Sequence, residues 1–208
     1  MLFTVVLAAS VAGKPPQGAN PPQLCLPLPP KVESGLNQLI NNQMQQRYTA
    51  LAMASYFARV DVALNGFEDF FLELSEAKYD NALRLMQHLT TRCGKVVIDS
   101  IPNVGKIEWN SGLDAVLDAL ELQKNSTSAY VDLAKLAGEN GDQNTQDILW
   151  AKFLRCEYSF IKKLGEKVTI LKRVTTVEGL GETWANQLLG EIVDNEEEKL
   201  SCIGEDCE

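Results

Sequence analysis

Apolar side chains return every three to four residues through four long segments, and that period commits the chain to amphipathic helices rather than to a sheet. The first segment runs from Val32 to Val60, with Leu36, Leu39, Ile40, Met44, Tyr48, Leu51, Ala52, Ser55 and Tyr56 on one predicted face. A connection through Asp61 follows, where Asn65-Gly66 signals a turn. Phe67, Phe70, Phe71, Leu74, Leu85, Met86 and Leu89 then mark a second helix, expected to end at Cys93-Gly94 with the glycine as cap. The third opens at Ser111 and carries Leu113, Val116, Leu117, Leu120, Tyr130, Leu133 and Leu136. After the polar turn Glu139-Asn140-Gly141-Asp142, a fourth repeats Ile148, Leu149, Phe153, Leu154, Tyr158, Ile161, Leu164, Val168 and Leu171. A shorter amphipathic piece, Leu180 to Leu189, follows Gly179.

Helices of about 25 residues are on the order of 40 Å long, well beyond the usual globular length, and they need one another to bury their apolar stripes. The expected fold is therefore an all-α four-helix bundle. Short connections pair the first helix with the second and the third with the fourth. Residues 95–110 are different: Val96-Val97-Ile98, Pro102 and Gly105 read as an extended strap. A strap of that length makes the single long crossover of a ferritin-like bundle, with the short fifth helix added at its end.

The flanks divide the rest of the chain. Residues 1–13 contain the apolar run Leu2 to Ala12, too short to span a bilayer, then the small residues of a cleavage site, and are read as a secretory signal peptide. Residues 14–31 hold seven of the eight prolines and form an extended arm. The bundle occupies 32–192, and 193–208 is an acidic, cysteine-bearing tail. Cys25, Cys202 and Cys207 flank the body and are the disulfide candidates, while Cys93 and Cys156 read as buried thiols on helices. Five cysteines is an odd number, so at least one is free or bridges to another chain.

Composition narrows function. A net charge of −9, from 28 acidic and 19 basic residues, argues against nucleic acid as a partner, and no later run reaches membrane-spanning length. The single histidine, His88, excludes chemistry that needs two imidazoles from one chain. It reads most simply as a lone polar contact. Ser75-x-x-Lys78 has the spacing of a serine β-lactamase motif but lies inside a helix without its companion motifs, and is read as chance. Asn125-Ser126-Thr127 is a glycosylation sequon in mid-helix, where folding and assembly together are expected to keep it unoccupied.

Local sequence adds a family resemblance. Tyr56-Phe57 with Asp61-Val62-Ala63-Leu64 resembles the end of ferritin helix A, and Trp109-Asn110-Ser111-Gly112-Leu113 the start of helix C. Leu122-Gln123-Lys124-Asn125, Leu164-Gly165 with Val168-Thr169, and Gly179-Leu180, Glu182 and Leu189-Gly190 resemble the middle of helix C, the end of helix D and helix E. The order and spacing hold over residues 36–190, and with its flanks the chain is most similar to secreted, light-chain-like ferritin subunits of insects and related animals.

That resemblance implies iron storage in a shell of twenty-four subunits, with iron as a ferric mineral core. The positions aligned with the family's ferroxidase ligands hold Gln43, Lys78, Asn81 and Gln123, and Leu85 stands where an acid would precede His88. Amides and a cation do not bind iron, so no catalytic residue is expected. A buried ammonium needs a counter-ion, and Glu157, aligned beside the site, is expected to pair with Lys78 or to join it in an amide network. Glu73, Glu76 and Asp80 lie at i, i+3 and i+7 on the second helix. Their spacing alone is that of a solvated face; the resemblance implies that they nucleate mineral on the cavity side. Asp147 matches one acid of the family's three-fold channel, while Trp150 replaces another, as a subunit contact or a core residue. The implied partners are further copies of the chain and a heavy-type subunit that oxidises iron. Two other readings stay open: a self-sufficient ferroxidase with non-standard ligands, and a secreted monomeric bundle acting as carrier or ligand.

Overall fold

A computed structural model of the chain describes residues 26–174 and 181–194, with side chains in the last segment described through 190. The expected signal peptide, most of the proline-rich arm, most of the acidic tail, and Cys25, Cys202 and Cys207 lie outside the described residues. Within them the chain forms α1 (Pro30–Phe57), α2 (Asn65–Thr91), α3 (Gly112–Glu139), α4 (Gln143–Ile148), α5 (Arg155–Val174) and α6 (Gly181–Asp194). A π-helical segment, Leu149–Leu154, joins α4 to α5, so the expected fourth helix is one element with a wider turn inside it. No described helix is long and apolar enough to cross a membrane.

α1 packs on α2 and α3, α3 packs on α5, and α6 closes the end of the bundle against the start of α2. The crossover strap is held by a ladder of side chains on α1. Glu33 Oε1 accepts from Lys95 N, Asn37 bonds Lys95 O and Val97 N, and Asn41 bonds Val97 O and Asp99 N, all at 2.8–2.9 Å. Four helical residues rise about 6 Å and two extended residues about 6.6 Å, so a side chain at every fourth position meets every second residue of the strap. The β-like run Val96-Val97-Ile98 is thus extended without being a strand. The strap follows α1 to its far end, where Tyr56 Oη donates to Trp109 O at 2.6 Å. Ser111 then caps α3 by accepting from Asp114 N.

Several local expectations are corrected. On α1 the buried residues after Ile40 are Gln43, Gln46, Ala50, Met53, Ala54 and Phe57, whereas Tyr48 and Leu51 are 44% and 39% exposed. Two glutamines interrupt the apolar stripe, so hydropathy alone shifts the predicted face. The turn before α2 uses Ala63 in the left-handed region (φ 51°), and Asn65-Gly66 already belongs to the helix. At the other end of α2 the left-handed residue is Cys93 (φ 58°), not Gly94. Trp150 is 44% exposed, which removes the core reading.

Cys93 and Cys156 are both disulfide-bonded, which overturns their reading as buried free thiols. Cys93 is exposed and Cys156 half-buried, so covalent partners can reach them. They are not bonded to each other. Glu157, next to Cys156, meets Asn81, and Cys93 lies twelve residues beyond Asn81, about 18 Å along the helix axis, against a Cα separation of about 6 Å in a disulfide.

Candidate functional site: a buried polar centre in the bundle

Two apolar clusters fill the bundle. One contains Phe57, Phe67, Phe70, Phe71, Trp109 and Phe160; the other contains Leu36, Ile40, Leu85, Tyr130, Leu149 and Phe153. Between them the helices direct polar side chains to the axis: Gln43 and Gln46 from α1, Lys78 from α2, Gln123, Ser126 and Thr127 from α3, and Glu157 from α5, all buried. Regular 3.6-residue geometry places them there. Lys78 follows Leu74 and precedes Ala82 and Leu85 on the buried face of α2.

Lys78 Nζ donates to Gln123 Oε1 at 2.5 Å and lies 3.8 Å from Glu157 Oε1. Gln123 Nε2 donates in turn to Glu157 Oε2 at 2.6 Å, and Asn81 Nδ2 reaches Glu157 Oε1 at 3.4 Å. Thr127 Oγ1 stands 2.9 Å from Gln123 O and 3.2 Å from Glu157 Oε2, with one hydroxyl proton to share between them. The expected ion pair and the expected amide network are therefore both present as one structure. Gln123 bridges ammonium to carboxylate, accepting from one and donating to the other. Burial pushes the Lys78 ammonium below its ordinary value, and the Glu157 charge acts against that shift. The Phe160 ring face, 5.8 Å away, covers the cation from below.

Gln43 makes a separate contact in the same polar layer, with Nε2 donating to Ser126 Oγ at 2.7 Å. Tyr130, one turn after Ser126 and fully buried, has its hydroxyl pushed well above the ordinary value, first by burial and then by the Glu157 charge. A cavity lined by Gln46, Met53, Leu74, Lys78, Leu122 and Gln123 adjoins the ammonium and has room for about one water molecule. Sequence reasoning missed Gln46, Ser126, Thr127 and Tyr130. Gln46 and Tyr130 were legible in principle as residues at helical spacing from Gln43 and Gln123. Ser126 and Thr127 were read only as part of a sequon, yet both hydroxyls are buried, with Asn125 exposed beside them.

Hard metal ions need converging anionic oxygens or imidazoles. The centre offers one carboxylate, already engaged by Gln123, Asn81 and Lys78, together with neutral amides and a cation. These residues do not fit a di-iron pair. Among the described residues no three His, Cys, Asp or Glu side chains converge as a closed metal site would require.

The carboxylates of Glu73, Glu76 and Asp80 form a row outside this centre. Glu76 is exposed and the other two are half-buried, with Glu73 Oε2 turned out of solvent, so the structure gives a partly open row of carboxylates along α2 and not a cage. Asp147 is exposed on α4 and accepts from Gln143 Nε2 at 2.8 Å, about three helical turns before Glu157 and outside the polar centre. His88 makes the polar contact expected of it. Its Nε2 lies 2.9 Å from Thr145 Oγ1, which donates to Asp142 Oδ2 at 2.7 Å, and Arg92 Nη1 donates to Asp142 Oδ1 at 2.9 Å.

A bundle with one crossover, a short closing helix and a polar centre spread over its four long helices defines the ferritin-like class. The ferritin-like domain family matches residues 33–174. The chain is 40% identical over 161 residues to the oocyte isoform of the ferritin light chain of Xenopus laevis, covering 76% of this chain and 91% of that one. It is 38% identical over 142 residues to the lower ferritin subunit of Aquarana catesbeiana, covering 68% and 82%. It is also 37% identical over 150 residues to a ferritin heavy chain of Schistosoma mansoni, covering 72% and 86%. The chain belongs to the ferritin family. Light and heavy relatives stand at nearly equal identity, so the subunit type has to be argued from the centre itself.

Proposed function

We propose that this chain is an iron-storage subunit without a ferroxidase centre of its own, which co-assembles with a heavy-type subunit into a shell and presents Glu73, Glu76 and Asp80 to the growing ferric mineral. The observation that carries this reading is the Lys78 ammonium, buried 3.8 Å from Glu157 and bonded to Gln123. A positive charge at that place repels ferrous iron, and its network consumes the one carboxylate that could bind it. The partly open row on α2 supplies hard oxygen ligands without enclosing a single ion, as a mineral surface requires.

The disulfide bonds of Cys93 and Cys156 favour an oxidising compartment and support the secretory reading of residues 1–13. Peptide mapping without reduction is expected to recover both cysteines in cross-linked peptides. Asp147 remains a candidate channel acid on the strength of its exposure at the start of the fourth helix.

The test is ferrous oxidation by the purified chain alone and after co-assembly with a heavy-type subunit. Oxidation no faster than buffer is expected for the chain alone. In the mixed shell, E73Q/E76Q/D80N should slow mineral growth several-fold while leaving the initial oxidation rate unchanged. Turnover by the chain alone would replace this reading with a self-sufficient ferroxidase, and an iron-free monomer would replace it with a carrier.

A further inference from the structure

The first turn of α2 lacks a cap of its own. Leu64 stands at the N-cap position and has no side-chain oxygen to offer the amides of the first turn. Those amides are nevertheless engaged from another element. Asn186 Oδ1, on α6, accepts from Gly66 N at 2.7 Å and from Phe67 N at 3.3 Å, the second and third helical positions that a capping side chain ordinarily serves. The two helices touch backbone to backbone at the same point. A Cβ on Gly66 would come to 1.9 Å from Asn186 O and 3.0 Å from Gly190 N. Glycine at 66 is thus required for approach, not for a left-handed turn. Ala185 and Leu189, on either side of Asn186, are buried in the aromatic cluster beside Phe67.

We propose that Asn186 serves α2 as an N-cap supplied from outside the helix, and that this clasp makes the docking of α6 and the formation of the first turn of α2 a single two-state latch at the end of the bundle. When α6 leaves, Gly66 N loses its capping acceptor, Phe67 N keeps only Leu64 O at 3.0 Å, and the cluster around Phe67 loses Ala185 and Leu189. When the first turn of α2 frays, α6 loses the polar anchor that Asn186 makes to it and the flat glycine surface on which it sits. Each element is marginal without the other, because an uncapped first turn and a fourteen-residue helix are both weak in isolation. The two should therefore open together and not in sequence.

Hydrogen exchange on the full-length protein in its native assembly tests this with three variants. Asn186→Ala removes the acceptor and is expected to speed exchange by roughly five- to tenfold at amides 66–68 and, by the same factor, within 181–190. Asn186→Asp keeps an oxygen in place and adds a charge favoured at a helix N-terminus, so both regions should stay protected. Gly66→Ala keeps Asn186 but drives the backbones apart, and should release both regions at least as strongly as the alanine variant. If Asn186→Ala loosens only α6 and leaves amides 66–68 protected, the latch is refuted. It is equally refuted if Asn186→Asp behaves like Asn186→Ala. The Asn186 pair decides the matter even if Gly66→Ala fails to fold.

Discussion

Where α1 ends, Phe57 stacks on Phe67 and Phe71 with ring centres 4.9 and 5.6 Å apart, and the interior is wholly apolar. Half-way along the same helices, the axis is occupied by Lys78, Gln123 and Glu157 joined in a chain of polar contacts. Both regions are equally buried, but they tolerate change in different ways. Aromatic packing is non-directional and responds to lost volume; the polar centre responds to a lost partner, because Lys78, Gln123 and Glu157 are desolvated and bonded to one another. An aromatic end stabilises the fold, whereas a closed polar centre mainly decides what the bundle cannot bind.

The sharpest way to break this contrast is Lys78→Met. It should cost about 3–5 kcal/mol in denaturant unfolding, because Glu157 is left buried without its counter-charge. Adding Glu157→Gln in the same chain should recover most of the loss, since removing both charges together leaves only neutral groups to satisfy. A double variant as unstable as the single one would show that packing around Lys78, and not charge, is what matters there.

A smaller effect is expected at the opposite end from the aromatic cluster. Burial pushes the Asp142 carboxyl up, but bonds from Thr145 and Arg92 outweigh it and hold the carboxyl below its ordinary value. A folded value below the unfolded one gives stability that is present above pH 4 or so and is lost as pH falls through the folded value. Asp142→Asn retains the cap on α4 while removing the charge. It should leave a flatter acid limb in the pH dependence of thermal unfolding, whereas Asp142→Ala should cost about 1 kcal/mol at neutral pH as well. The smallest effect belongs to the surface: breaking the exposed Lys162–Glu166 pair should change stability by no more than about 0.5 kcal/mol.

The sequence made the two regions unequally legible. Phe67, Phe70 and Phe71 announce a buried face by hydropathy and spacing together, and the face read there is the one observed. On α1 the same reasoning drifts after Ile40, because Gln43 and Gln46 occupy buried positions that hydropathy assigns to solvent. The pairing of Lys78 with Glu157 was nonetheless inferable. A lysine on the apolar face of a helix demands a carboxylate, and alignment with the family left Glu157 facing it. Thr127 and Ser126 were not inferable in this way, since a hydroxyl can bond its own helix and so makes no demand on a neighbour.

Helical period, the long crossover, the opening of the third helix at Ser111 and the absence of a second histidine follow from the sequence alone, because each is a property of residues near one another along the chain or of composition. Which face of α1 turns inward at Gln43, how the Glu33, Asn37 and Asn41 ladder carries the strap, and that Asn186 reaches back to cap α2 were settled only by tertiary structure. Those features depend on groups that are distant in sequence and adjacent in space, and a polar side chain states its need for a partner without naming which one.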